Sequence, residues 1–96
     1  MSIEPTEGGF RVVGQVDLSN IDRFREAVGE ASPGSELVLD LRECTFLGSE
    51  GVGVLIKAAQ NLADGRLVLR SPNDILSKVL DISGLGRLPN VHIEAG

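Results

Sequence analysis

One hydroxyl in this chain stands where chemistry could be done to it. Ser49 lies in Phe46-Leu47-Gly48-Ser49-Glu50-Gly51-Val52-Gly53-Val54-Leu55, after the apolar run Leu37-Val38-Leu39-Asp40-Leu41. That run reads as a buried strand, and Val52, Leu55, Ile56, Ala59 and Ala63 have helical spacing. The Gly/Ser turn between them therefore puts Ser49 where a loop becomes a helix. A helix N-terminus carries unpaired N–H groups and partial positive charge, so it stabilises an anion. A phosphoryl group on Ser49 would bring about −1.5 to −2 charges and three acceptor oxygens to a place that tolerates them. Read locally, the same serine also serves as a plain N-cap. Glu50, in the first turn, interacts favourably with the helix dipole and supplies standing negative charge beside the hydroxyl.

Other chemistries lack their residues. The glycines at 48, 51 and 53 do not form Gly-x-Gly-x-x-Gly, and no Walker lysine follows them. Gly48-Ser49-Glu50-Gly51 is not a five-residue nucleophile elbow, and His92 is the chain's one histidine, so a hydrolase triad is not expected. Cys44 and His92 have no metal-ligand spacing with a second Cys or His. Cys44 reads as a small buried hydrophobe and His92 as an exposed residue near a terminal strand. No enzyme activity, metal or cofactor is expected.

The elements that must position Ser49 follow in order. Pro5, Gly8 and Gly9 limit any first strand around Ile3 to a short or edge strand. Phe10–Val13 reads as a strand ending at Gly14. Ser19 precedes Ile21, Phe24, Arg25 and Val28 on one helical face, with Asp22 completing an acidic capping box. That helix should end between Gly29 and Ala31, broken by Pro33-Gly34. The strand Glu36–Leu41, the helix from about Glu50 to Ala63, a turn at Asp64-Gly65 and the strand Arg66–Arg70 come next. Ser71 as cap, Pro72 at the first helical position and Asp74 at the third predict a helix burying Ile75, Leu76, Val79 and Leu80. It should close at Gly84 in a left-handed cap, before a last short strand at Val91–Ile93. Alternating strands and helices imply an α/β layer structure, a mostly parallel central sheet of four or five strands with helices packed on it. Residues 1–96 read as one domain, with no repeat or low-complexity tract.

Strand, then Phe-Leu-Gly-Ser-Glu-Gly-Val-Gly-Val-Leu, is similar to the signature of STAS domains, the anti-sigma factor antagonists. Their pattern is an apolar strand, then Asp-Ser-Ser/Thr-Gly-Leu/Val-Gly, then an apolar helix. Gly14-Gln15-Val16-Asp17 resembles the family's Gly-Glu-Leu-Asp element, and Leu80-Asp81-Ile82-Ser83-Gly84-Leu85 its Leu-x-x-Ser/Thr-Gly-Leu element. The resemblance spans nearly the whole chain, although many family members continue into a final helix where this chain stops soon after Ile93. Part of one sheet face is therefore expected to be less covered, or available to a partner. Gly48 stands where the pattern has Asp, and Glu50 where it has Ser or Thr.

The resemblance implies a switch. Unphosphorylated, the domain would bind an anti-sigma factor of the serine-kinase type and free a sigma factor. Phosphorylated on Ser49, it would release that partner, ATP and magnesium belonging to the kinase. The partner surface it implies comprises Asp17, Asn20, Gly48, Ser49, Glu50, Gly51 and Val52. Asp17 would lie near the phosphorylation loop, though by itself it also reads as a turn residue ahead of Ser19. Two alternatives keep the fold: a scaffold, part of a sensor or lipid-transport complex, that binds without phosphorylation, and a small-ligand pocket at the strand ends.

Composition bounds these readings. With 96 residues and 42% hydrophobic content the chain fits one small domain, and three Phe without Trp or Tyr require an aliphatic core. A net charge of −5 argues against nucleic acid and against anionic membranes. The longest apolar stretch is too short to span a bilayer, no leader is apparent, and one cysteine fits a reducing compartment. The expected localisation is cytoplasmic.

Overall fold

A computed structural model of the chain describes residues 1–95. Its elements are β1 (Ser2–Thr6), β2 (Gly9–Val16), α1 (Ile21–Gly29), β3 (Glu36–Asp40), β4 (Cys44–Leu47), α2 (Ser49–Asn61), β5 (Arg66–Arg70), α3 (Asp74–Ile82), a 3-10 turn (Leu85–Arg87) and β6 (Val91–Glu94). The strands form one six-stranded mixed sheet in the order β1-β2-β3-β5-β6, with β4 also paired to β2. Only β1 runs antiparallel to its neighbour. The α/β layer structure read from the sequence is therefore present, with six strands where four or five were expected.

The additional strand is β4, and it is what places the Ser49 loop. β3 pairs with β2 over Gly9–Arg11, leaves it after Asp40, and the chain rejoins β2 as β4 opposite Gly14–Val16. The link is short: the Leu41 N–H donates to the Arg70 carbonyl and the Cys44 N–H to the Leu41 carbonyl. β2 is correspondingly longer than expected, running past Gly14 through a register shift between Gly14 and Gln15.

The steps from β2 to β3, β4 to β5 and β5 to β6 all move the same way along the sheet. Right-handed crossovers then put α1, α2 and α3 on the same face. One core cluster agrees with this, joining Phe10, Val12, Leu39, Leu67 and Leu69 of the sheet to Phe24, Val28, Leu55, Leu76 and Leu80 of the helices. It is aliphatic apart from Phe10 and Phe24, whose rings meet edge to face at 6.4 Å. Because side chains alternate along a strand, the opposite face carries Glu4, Arg11, Asp40, Arg70 and Glu94. The registers align these five as one row across β1, β2, β3, β5 and β6.

The helix starts differ from expectation in one respect. Each is capped one or two residues off the serine that the sequence singled out. The N-caps of α1, α2 and α3 are Asn20, Gly48 and Asn73, not Ser19, Ser49 and Ser71. Asn73 wins over Ser71 because its Oδ1 accepts from the Leu76 N–H at 2.8 Å. Ser71 instead takes a left-handed backbone, φ 58°. In α3 Leu76 and Leu80 are buried as expected, whereas Ile75 points outward and is 73% exposed. The helix is followed by Gly84 at φ 79°, the left-handed closure anticipated from sequence.

Candidate functional site

The parallel strands β2 and β4 end side by side, Val16 opposite Leu47. The Gly48 N–H continues that ladder, donating to the Val16 carbonyl at 3.0 Å. From there the backbone turns into α2, whose first intrahelical bond runs from the Val52 N–H to the Gly48 carbonyl. Ahead of that bond lie the N–H groups of Ser49, Glu50 and Gly51, the unpaired donors of a helix start. The loop thus sits at the carboxyl ends of parallel strands, the edge where open α/β sheets place their binding sites.

Sterics explain the glycines on either side of Ser49. Gly51 is buried against the strand ends. A methyl there would come within 2.5 Å of Leu47 Cδ1 and 3.1 Å of Val16 Cγ1. Gly48 has an extended backbone, φ −71° and ψ 169°, open to any residue. What occupies the space over it is a side chain: a Cβ at 48 would lie 2.7 Å from Glu50 Oε1. The other oxygen of that carboxylate, Oε2, accepts the Ser49 hydroxyl at 3.2 Å. Glu50 is therefore folded back across the start of its own helix, holding the hydroxyl on one side and lying over Gly48 on the other.

The Asp17–Asn20 turn follows directly from the end of β2. It is tied by its own polar groups. Asp17 Oδ1 accepts from the Ser19 N–H at 3.0 Å and from the Ser19 hydroxyl. Asn20 Oδ1 accepts from the Asp17 N–H at 3.0 Å, and Asn20 Nδ2 donates to the Gln15 carbonyl at 2.9 Å. The hydrogen bonds of the Asp17 carboxylate go to Ser19, so the turn-residue role is the one its geometry fills.

Of the residues singled out from sequence, Ser49 is exposed, and Glu50, Asp17 and Asn20 are partly exposed. Gly48 and Gly51 are buried, and Val52, at 7% exposure, belongs to the core. These three shape the loop and offer little side chain at the surface. Two residues that sequence reasoning passed over are exposed here. Leu18 is 73% exposed in the Asp17–Asn20 turn, and Phe46 is 50% exposed on β4, its ring edge 3.4 Å from where a Cβ of residue 48 would be.

Cys44 is buried, as expected, and its Sγ donates to the Phe46 carbonyl at 3.4 Å. Burial pushes its thiol pKa up, outweighing that hydrogen bond, so it stays neutral and unreactive. No group of three His, Cys, Asp or Glu residues able to hold a metal occurs among the described residues. A cleft of about 290 Å³ lies between α1 and α2, lined by residues such as Val28, Val54, Lys57 and Ala58 and not by the Ser49 loop. It does not supply the strand-end pocket considered from sequence.

A family model described as "Mlab, STAS domain" matches residues 1–91. An anti-sigma-B factor antagonist from Listeria monocytogenes is 32% identical over 78 residues, 77% of this chain and 68% of the relative. The structure resembles an anti-sigma factor antagonist from Thermotoga maritima with a TM-score of 0.78 at 19% identity, covering 99% of this chain and 86% of that one. It also resembles the Bacillus cell fate determinant SpoIIAA in its phosphorylated form, with a TM-score of 0.66 at 22% identity over 96% of this chain and 88% of that one. At these identities the structural likeness concerns the fold.

Proposed function

The chain belongs to the STAS domain family of anti-sigma factor antagonists, and from that premise we propose that it is a binding regulator whose partner is an anti-sigma factor of the serine-kinase type. In this reading Ser49 accepts a phosphoryl group from the partner's ATP, and the modified domain lets the partner go. The observation that carries it is the setting of Ser49. An exposed hydroxyl stands at the first residue of α2, with exposed Leu18 and Phe46 on the two elements that flank it.

The physics of such a switch is local. A phosphoryl group at a helix start is held by free N–H groups and the dipole, so the fold survives modification. A partner pressed against Leu18 and Phe46 would instead meet a new, nearly doubly charged group inside a desolvated contact, which is strongly unfavourable. Resemblance to a protein described in its phosphorylated form supports a fold compatible with that modification.

The test is intact-mass measurement with site mapping after incubation with ATP and lysate of the host. Wild type should gain one phosphoryl group and Ser49→Ala none. An unmodified wild type, beside a family member that is phosphorylated in the same lysate, would remove Ser49 from this role.

One observation favours a second reading. Glu50 already places a carboxylate on the Ser49 hydroxyl, and a scaffold subunit that binds its partner constitutively, without phosphorylation, fits an acceptor already occupied in this way. Ser49→Ala would leave binding intact in either reading and abolish regulation in the first alone.

A further inference from the structure

α1 and α2 pack on the same face of the sheet but leave a cleft of about 290 Å³ between their C-terminal halves. Protein interiors are close-packed, with few voids larger than a water molecule, so a gap of this size has a cause. Part of the cause is residue size, since Gly29 of α1 and Ala58 of α2 both face it. Nothing in the fold requires the glycine. It lies in the last turn of a helix, and a Cβ built on it would meet nothing within 4 Å. Glycine is a poorer helix residue than alanine, so helix stability is forgone here and the gap stays open.

The lining is amphipathic, and its charges have one sign. Val28, Val54 and Leu62 are buried and form the walls. At the mouth stand the exposed side chains of Arg25, Lys57 and Asn61. The aliphatic stems of the two cations extend the apolar walls toward solvent. No carboxylate lines the cleft, although the chain carries a net charge of −5. Glu30, next to Gly29 in sequence, lines a separate hollow with Gly8, Gly9 and Glu36. Arg25 is engaged by Asp22, Nη1 to Oδ1 at 2.6 Å. Lys57 belongs to none of the ion pairs among the described residues. A cationic guest would meet like charge there. An anion meets an ammonium without a carboxylate partner and the amide donors of Asn61.

We propose that the α1–α2 cleft binds a small amphipathic anion, a monocarboxylate carrying an apolar chain of about eight to ten carbons. Its tail lies between Val28, Val54 and Leu62, and Lys57 holds its carboxylate. The size follows from the volume. At about 30 Å³ for each water-sized group, the cleft takes one such molecule and not the row of side chains by which a partner helix anchors itself. Burial of the tail drives binding, and the ammonium selects the head group. The Ser49 loop does not line the cleft, so the proposal stands apart from the reading of Ser49.

The experiment titrates sodium octanoate into nitrogen-labelled protein and follows the backbone amides by NMR. Octanol and acetate, each lacking one half of the probe, are the controls. Wild type, Lys57→Gln and Gly29→Leu are compared, and a melting temperature is recorded for each. Octanoate should shift the amides of Gly29, Val54, Lys57 and Ala58 saturably, with a Kd of about 0.1–1 mM for a ligand of this size. Octanol should bind wild type about tenfold more weakly, and Lys57→Gln should bind octanoate about tenfold more weakly while binding octanol as wild type does. Acetate should give no saturable shift at these amides. Gly29→Leu, whose side chain enters open space, should abolish octanoate binding without lowering the melting temperature. Octanoate that gives no saturable shift up to about 10 mM, or shifts confined to other residues, overturns the proposal. Octanol binding as tightly as octanoate, or a Lys57→Gln protein that binds octanoate like wild type, makes the cleft a plain apolar gap and overturns the assignment of an anion. A folded Gly29→Leu protein that keeps its octanoate affinity overturns the location. Loss of anti-sigma factor binding in Gly29→Leu, with no octanoate binding in wild type, would give the cleft to a partner's side chain instead.

Discussion

Leu18 and Phe46 are the two side chains at the site that the core does not use. Each exposes half or more of its surface beside the Ser49 loop, and neither has a fold-level reason to be apolar. Replacing both with serine should change the unfolding midpoint little, because an exposed side chain contributes little to burial. Binding to the anti-sigma factor should weaken by about tenfold to a thousandfold, the range expected when apolar anchors of an interface are truncated. Titration calorimetry on the double variant checks this, and binding unchanged from wild type would place the interface elsewhere. The glycines of the same stretch were legible as a pattern before their separate reasons were. A methyl at Gly51 would come within 2.5 Å of Leu47 Cδ1, whereas at Gly53 it meets nothing within 4 Å. Gly53→Ala should therefore stabilise the protein by about 0.5–1 kcal/mol through helix propensity. Gly51→Ala should destabilise it, since overpacking at about 1–3 kcal/mol exceeds that propensity gain. Urea midpoints moving in opposite directions would establish the difference, and two shifts of the same sign would refute it.

At the scale of elements, helices and buried strands were readable because their apolar period is strong. β3 is buried from Leu37 to Asp40 and β5 from Leu67 to Leu69, and both carry an unbroken apolar run at their centre, as central parallel strands do. β4 was not readable. Its four residues alternate only weakly, with Cys44 and Leu47 buried and Thr45 and Phe46 exposed, and its partner β2 is remote in sequence. The caps were missed for a related reason. Several residues near each helix start can accept a hydrogen bond, and tertiary contacts choose among them. Asn73 is chosen at α3 because it reaches in two directions, with Oδ1 accepting from the Leu76 N–H at 2.8 Å and Nδ2 donating to the Cys44 carbonyl at 3.4 Å. It thus pins α3 to β4 as well as capping it. Asn73→Ala should cost about 1 kcal/mol. Faster amide exchange should appear at Leu76 and extend to β4, and exchange confined to α3 would mean that the tie to Cys44 contributes nothing.

Across the whole molecule, the helix-free face of the sheet is organised by charge. Glu4, Arg11, Asp40, Arg70 and Glu94 lie in register on five strands with alternating sign. Arg11 stands 3.2 Å from Asp40 and 4.0 Å from Glu4, and Arg70 Nε stands 3.0 Å from Glu94. Opposite charges on neighbouring strands stabilise their pairing modestly, and charges on an open face discourage it from stacking on another sheet. Asp40 is the member of the row with most at stake, its side chain only 12% exposed. Burial works to raise its pKa. The Arg42 N–H, which donates to Oδ1 at 3.0 Å, and the Arg11 guanidinium on Oδ2 outweigh that, with the charges of both arginines adding to the effect. The net pKa lies below the ordinary 3.8. A carboxyl whose pKa is depressed on folding adds stability that is complete above the unfolded-state value and is lost as pH falls through the folded-state value. Asp40→Asn keeps an acceptor for the Arg42 N–H but loses the charge, and should cost roughly 1–3 kcal/mol at neutral pH. The gap between wild type and Asp40→Asn should begin to narrow near the ordinary value of 3.8 and close only as pH falls through the lower folded-state value, where the native carboxyl also becomes neutral. Denaturant unfolding at several pH values follows that gap directly. A difference that stays constant down to the acid transition would mean that shape and hydrogen bonding at residue 40, and not its charge, hold the centre of the sheet.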